Sequence, residues 1–540
     1  MSARVPRRAW PMLAVVTYCA AGLCLALLNR HQINPDGISY IRLAEDYLDG
    51  NWHQAVNGYW GPLYAITLVP CLALGCEPLL ATKITGAFIA TFALVATWFG
   101  LGKILNGASR VAITAAFGQM YLIWASTVTT PDLLMVSLGL FYLAVAADPA
   151  YLQRNAIALR VGIIAGLAYL TKAYFAPFFV VHFLALNAYL WRRHPNQGRL
   201  VCRRVVSGFA AFMALAVPWI LLISVKYSTP TVGTASKSAN SYSRPGGNEQ
   251  LVGISSGLVP PPDGALSSWD DPSLLPAPTW RVHLFDSPHN IGHLASLVRE
   301  NGWESVDLAL AFLGYNGVIA GILLGSALWL AVRSGDARAI SFGATGAVYV
   351  LAILIYPFGY LTTLTEDRYL WFAYAALVLA LVNVVEVASL RVPACRRYFD
   401  FGTIALCASI IASHVDNLPV KGHQDRIYAD LSGSLKPYIP QECRSIATNY
   451  DWVSGLHLSY YLDCPYFGAL RANGASRQSA ELDKYCIQYV LWWGDRQSAP
   501  RPAGFVELAT TDKPQIALLR RLPPSDPPTN RCTRSLLQEN

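Results

Sequence analysis

Four short stretches place ionisable side chains against apolar sequence in a pattern suited to handling an anion. Asp36 stands in Asn34-Pro35-Asp36-Gly37, a turn-forming run before SYIRLAEDYL, which reads as a short amphipathic helix carrying Glu45 and Asp46. Asp132 opens PDLLMVSLGLFYLA, and Lys172 is the lone charge in GLAYLTKAYFAPFF. Glu366, Asp367, Arg368 and Tyr369 lead into the apolar run WFAYAALVLAL. An arginine grips phosphate through parallel N–H bonds, and a lysine at headgroup depth supplies a second cation. Each feature also has an ordinary reading: Asp36 as a solvated turn, Lys172 as a snorkelling lysine, and Glu366 to Tyr369 as an interfacial anchor.

The elements that must position these groups are membrane helices. Of 540 residues, 54% are hydrophobic and only 14% charged, with a mean hydropathy of +0.35, which argues against one soluble domain. The net charge is +8, but the basic residues fall in short clusters between apolar runs, so no nucleic-acid partner is expected. Eleven spans are predicted, at about 10–28, 79–101, 111–128, 131–147, 156–171, 174–191, 205–225, 306–332, 340–361, 369–389 and 399–414. The first reads as a span rather than a removed signal peptide. Short connections and span ends on one side carry seventeen Lys and Arg, against five on the other, which predicts a cytoplasmic N-terminus and an external C-terminus.

On this topology the four stretches share the external face. Residues 1–414 read as one membrane module with a first outer loop at 30–78 and a long outer loop at 226–305. Residues 415–540 read as a separate extracytoplasmic domain. A second short apolar helix is expected after Gly61-Pro62, along the interface. The long loop holds nine prolines between Pro230 and Pro288 and suits a lid over bound substrate. His289 and His293, four apart, could share a helix face, but no third metal ligand is evident, so no metal site is expected.

The tail is expected to be a small α/β domain, with strands in RSIATNYDWVSGLHLSYYLDCP and YCIQYVLWWGD and a short helix at QSAELDKYC. Cys443, Cys464, Cys486 and Cys532 allow three disulfide pairings there. The chain has no Asn-x-Ser/Thr sequon, which favours a bacterial inner membrane over the secretory pathway.

Taken in order, these motifs resemble a family. An Asp in the first outer loop, Gly61-Pro62-Leu63-Tyr64, Pro131-Asp132 opening the fourth span, Leu170-Thr171-Lys172 and Arg368-Tyr369 resemble the polytopic GT-C glycosyltransferases of the protein O-mannosyltransferase and lipid A aminoarabinose transferase type. The likeness covers about residues 10–390, and the tail matches only in position and size. It implies an α-helical membrane protein of about 11 transmembrane helices with a small α/β extracytoplasmic C-terminal domain. It also implies an enzyme that transfers a sugar from a polyprenyl-phosphate donor to an envelope glycan, lipid or protein such as lipopolysaccharide.

On this resemblance Asp36 and Asp132 are the catalytic carboxylates, and Lys172, Arg368, Tyr369 and Lys83 lie near the donor phosphate. Glu45, Asp46, Tyr64, His53 and Glu366 are acceptor-side or secondary. The chain has Asp36-Gly37 where the family often has Asp-Glu, and Trp60-Gly61-Pro62 where many members have Lys-Pro-Pro; His53 or Lys83 would then supply the missing cation. The implied mechanism is direct, inverting and metal-independent, with no cofactor, although a divalent ion stays open. The readings that compete are a flippase or transporter for lipid-linked saccharides, which usually shows internal repeats and midplane charges, and a glycan ligase.

Overall fold

The computed structural model describes residues 9–243, 245, 257–275, 285–314, 317–333, 344–418, 425–471, 474–494 and 501–522. The chain divides into two compact units. The first comprises Met1–Arg30, Ala55–Gly233 and Arg281–Gly422; the second comprises His31–Gln54, Thr234–Trp280 and His423–Asn540. The second unit therefore gathers its chain from three places: part of the first loop, part of the long loop, and the tail.

The first unit is helical. Helices Ala9–Leu28, Pro78–Leu101, Ala108–Thr127, Asp132–Ala146, Asn155–Thr171, Phe175–Arg193, Gly198–Lys226, Asp367–Arg391 and Arg396–Ser413 coincide with expected spans. Three helices, Pro78–Leu101, Pro195–Lys226 and Asp367–Arg391, are long and apolar enough to cross a membrane by themselves. Several shorter apolar helices, among them Asp132–Ala146 and Asn155–Thr171, accompany them. The protein is an integral membrane protein. The short apolar helix expected after Gly61-Pro62 is Pro62–Ala73, with proline in its first turn.

Two expected spans are divided, 340–361 being the helices Ala344–Ile355 and Phe358–Leu361. The run read as 306–332 is two helices, Pro288–Leu313 and Val318–Arg333. The first ends where Gly314 takes φ 73°, and Gly317 follows at φ 67°, conformations that only glycine adopts readily and that stop helical hydrogen bonding. Hydropathy saw only the apolar run; two glycines decide where it breaks. His289 and His293 lie in the first two turns of Pro288–Leu313.

The second unit is built on a five-stranded sheet, with strands β1 Ile446–Thr448, β2 Tyr466–Ala469, β3 Tyr489–Trp493, β4 Phe505–Asp512 and β5 Gln515–Arg521 in the order β2-β1-β3-β5-β4. The first three are parallel, and β5 runs antiparallel to β3 and β4. One core packs Ala447, Val490, Trp492, Ala517 and Leu519 of the sheet against Leu482 of the helix Ala475–Lys484.

The aromatic, β-branched run after β1 is not all strand: Trp452–Leu462 is helix, capped by the Asp451 side chain accepting from Ser454 N at 3.0 Å. The cap and the helical spacing of buried Leu456, Ser459 and Leu462 outweigh the local strand preference. Of the open pairings, Cys443–Cys464 is formed, and Cys486 is disulfide-bonded as well.

Both loop segments are built into this second unit. Ile33 N donates to Asp425 Oδ2 at 3.2 Å, and His457 Nε2 lies 2.9 Å from the Ile33 carbonyl. Val259 N donates to the Phe467 carbonyl at 2.7 Å and Tyr466 N to the Leu266 carbonyl at 2.6 Å, so residues 259–267 run along β2. Residues 259–267 thus satisfy a sheet edge, which anchors the part of the long loop expected to act as a lid.

Candidate active site

In the first unit, the Asp132 and Lys172 stretches converge at the N-terminus of Asp132–Ala146 and the C-terminus of Asn155–Thr171. Lys172 Nζ donates to Asp132 Oδ1 at 2.5 Å, and Thr130 Oγ1 donates to Asp132 Oδ2 at 2.5 Å. The carboxylate side chain is 2% exposed and the lysine 21%, so the cation, not its counter-ion, faces accessible space.

The start of Asp367–Arg391 completes the cluster. Lys172 Nζ lies 4.1 Å from the centre of the Tyr369 ring, and Arg368 Cζ lies 5.3 Å from the same ring. Arg368 Nε donates to Glu366 Oε2 at 2.7 Å. Tyr360 stacks on Tyr369 with centroids 5.1 Å apart, and Tyr174 packs on Tyr360 at 4.1 Å. Two cations therefore flank one tyrosine ring, each with a carboxylate partner. Beside them, Thr365 Oγ1 is buried with no hydrogen-bond partner among the described residues.

Local backbone packing fixes this end of the lysine's helix. A Cβ on Gly61 would stand 2.3 Å from the Thr171 carbonyl oxygen and 2.7 Å from that of Leu170, so only glycine allows this approach. The segment just before it is tied down from the other side: Lys226 Nζ donates to the Val56 carbonyl at 2.7 Å and Gly58 N to Tyr227 Oη at 3.0 Å. Gly61-Pro62 thus acts as a backbone wedge next to Lys172.

Other expected residues lie elsewhere. Lys83 is 2% exposed, and its Nζ donates to the Ser126 carbonyl at 3.0 Å and to Thr129 Oγ1 at 3.5 Å. It braces the turn that precedes Asp132. Tyr64 is buried on Pro62–Ala73. Asp367 accepts from Trp371 Nε1 and Tyr374 Oη, both at 2.9 Å, and orients the aromatic first turns of its own helix. Sequence reading passed over Thr130, Tyr174, Tyr360 and Thr365, whose types carry no signal until the fold brings them together.

Asp36, Glu45, Asp46 and His53 belong to the second unit. Asp36 is in the first turn of Pro35–Asp49, half-buried, and Trp269 Nε1 donates to its Oδ1 at 3.4 Å. On the next turn Ser39 Oγ donates to the Trp269 carbonyl at 3.1 Å and to Asp270 Oδ1 at 3.3 Å. Burial pushes the Asp270 carboxyl up to about 6, against the pull of Arg42 and of the Leu266 and Ser267 N–H groups.

Arg42, Glu45, Asp46, Asp49 and Asp463 line a polar cleft of about 520 Å³. Arg42 Nη1 pairs with Glu45 Oε2 at 2.8 Å, and burial raises the Glu45 pKa despite that pair. His53 is exposed on the short helix Trp52–Ala55. Among the described residues, no three His, Cys, Asp or Glu side chains are grouped to hold a metal ion.

No family model matches the sequence, and neither does any curated protein. Solved structures do match. ArnT from Cupriavidus metallidurans bound to undecaprenyl phosphate aligns over 95% of this chain and 98% of its own, at 13% identity and a TM-score of 0.57. Its apo form aligns over 94% and 98%, at 14% identity and a TM-score of 0.54. The archaeal oligosaccharyltransferase AglB from Archaeoglobus fulgidus gives a TM-score of 0.49 at 13% identity, over 91% of this chain and 70% of that one. The fold defines a class: a polytopic membrane protein with the GT-C architecture. Within that class, ArnT is a structure to which this chain is similar over nearly its full length.

Proposed function

We propose that this protein is a glycosyltransferase that moves a sugar from a polyprenyl-phosphate donor to an extracytoplasmic acceptor in a bacterial inner membrane. The observation that carries the reading is the paired-cation cluster of Lys172 and Arg368 about Tyr369, at the ends of apolar helices. An isoprenoid tail in the bilayer holds its phosphate near headgroup depth, where such a cluster can receive it. The undecaprenyl phosphate in the matched ArnT structure supports the same donor class.

In the proposed reaction the acceptor hydroxyl oxygen attacks the anomeric carbon opposite the phosphate. The new C–O bond forms as the anomeric C–O(phosphate) bond breaks, and the electron pair leaves with polyprenyl phosphate. The hydroxyl proton goes to a carboxylate, assigned to Asp36 from the motif resemblance, and the anomeric centre inverts. Lys172 and Arg368 hold the charge that develops on the leaving phosphate, where losing one donor costs about 3–4 kcal/mol. Asp132 acts through Lys172: its buried carboxylate accepts from the ammonium and aims it. Thr365 Oγ1 offers one further hydrogen bond to a phosphate oxygen. No metal is assigned a step, because two side-chain cations already serve the departing charge.

The test is reconstitution in liposomes with a panel of polyprenyl-phosphate sugars and an envelope acceptor fraction, reading released polyprenyl phosphate. Release that is lost in Asp36→Asn and Lys172→Ala, both folded, supports the reading and names the donor sugar. Absence of release from every donor overturns it and directs attention to translocation or to transfer of whole glycans.

A further inference from the structure

The second unit carries another cleft, of about 860 Å³, on the sheet and away from the acidic one. It is lined by Arg444, Arg520 and Arg521, with Gln488, Tyr489 and a single carboxylate, Glu442. The sheet brings these residues together. Arg520 is opposite Tyr489 in the β3–β5 ladder, while Arg444 leads into β1, which pairs with β3 from the other side.

The cleft walls are fixed. Arg444 N donates to Gln488 Oε1 at 3.0 Å, which leaves the Gln488 amide N–H groups for a ligand. The Cys443–Cys464 disulfide ties the residue next to Arg444 to a position two residues before β2. Arg521 is held by the Ile487 and Leu482 carbonyls, each at 2.8 Å, and by Asp483. It is a structural cation, and its charge is answered. Arg444 and Arg520 are different. Both are exposed, and neither enters an ion pair among the described residues. Two guanidiniums set on either side of β3, beside a side-chain amide, match a charged sugar better than a bare ion. The arginines take the anion through paired N–H bonds, while the amide suits sugar hydroxyls. The volume is that of a pocket for a short oligosaccharide rather than a single phosphate.

We propose that this cleft is a binding site for an anionic saccharide, one carrying carboxylate or phosphate groups, with Arg444 and Arg520 as its anion-binding residues. The site is independent of the transferase reading, since occupancy is measured without turnover.

The experiment uses the full-length protein in detergent, with trigalacturonate as probe, maltotriose as its neutral counterpart, and inorganic phosphate as a bare anion. Saturation-transfer NMR and calorimetry read binding. The proposal expects trigalacturonate to bind and maltotriose to bind at least about tenfold more weakly. Arg444→Gln and Arg520→Gln should each lower trigalacturonate affinity about tenfold or more. Arg444→Lys, which keeps charge but not the fork, should lose less. Arg426→Gln, an exposed arginine outside the cleft, should bind as the parent does. Equal binding of the charged and neutral trisaccharides overturns the proposal. So does unchanged affinity in both glutamine variants, whose fold is checked by thermal unfolding. Phosphate binding with no trigalacturonate binding overturns the saccharide assignment.

Discussion

The two units handle charge in opposite ways. In the helical unit's cluster the ionisable groups are paired and packed: Asp132 is almost wholly enclosed, and Lys172 and Arg368 share one tyrosine ring. In the sheet-bearing unit they are many and line open clefts, one rich in carboxylates and one in arginines. The difference follows from the surroundings. Near hydrocarbon a lone charge is costly, so Lys172 and Arg368 each have a carboxylate partner, and removing Lys172 leaves Asp132 a buried ion. A solvated cleft tolerates unpaired charge, and a substitution there alters binding more than folding.

The comparison can be broken most directly at Asp36 and Lys172. Asp36→Asn should lower transfer by about 10²–10⁴-fold while the protein keeps its unfolding temperature, because a half-buried carboxylate in a first helical turn is replaced by a near-isostere. Steady-state release of polyprenyl phosphate with a thermal melt checks both halves. Lys172→Ala should do two things at once. It should cut donor use about 100-fold or more, and it should destabilise the helical unit by about 3–5 kcal/mol by stranding Asp132. The double variant Lys172→Ala/Asp132→Asn should recover much of that stability and none of the activity. A double variant no more stable than Lys172→Ala would show that the pair is not coupled.

Smaller effects sharpen the contrast. Reducing Cys443–Cys464, or replacing both cysteines by serine, should cost the sheet-bearing unit about 3 kcal/mol, since the bridge closes a loop with a sequence separation of 21. Limited proteolysis should then cut the tail before the helical unit. Gly61→Ala should cost about 1–3 kcal/mol and weaken donor use, because the added carbon meets the backbone that positions Lys172. A Gly61→Ala protein with parental donor kinetics would detach that wedge from the site.

Asp270 gives the smallest effect and a pH signature. Its folded pKa of about 6 lies above the ordinary carboxyl value, so the folded state binds the proton more tightly than the unfolded state does. Stability should therefore fall as pH rises from about 4 to 6 and level off above that. Asp270→Asn should remove this slope and raise stability at pH 7 by up to about 2 kcal/mol. Unfolding followed by tryptophan emission, with Trp269 adjacent, measures it. The same slope in Asp270→Asn would assign the titration to another group.

Much of the helical unit was legible because hydrocarbon imposes a simple rule. A span needs an apolar run of a certain length, and Pro78–Leu101 and Asp367–Arg391 announce themselves that way. The Pro35–Asp49 and Pro62–Ala73 helices were legible from turn residues, proline and periodicity. Reading failed where local preference lost to context. The apolar run around 306–332 breaks at glycines whose φ values hydropathy does not register, and Trp452–Leu462 is helical despite its aromatic content.

The sequence by itself determined a membrane protein with charged residues concentrated at the ends of apolar runs, because composition and spacing decide that before any packing occurs. It also fixed the candidate Asp132, Lys172 and Arg368, since an isolated charge beside an apolar run stands out in one dimension. Only the tertiary structure decided that Asp132 is the counter-ion of Lys172 forty residues away, that Lys83 braces a turn, and that residues from three separated segments make one sheet-bearing unit. The physical reason is range. Hydropathy and turn chemistry act over a few residues and are written locally, whereas a buried ion pair or a cleft depends on distances that the chain sets only once it is folded.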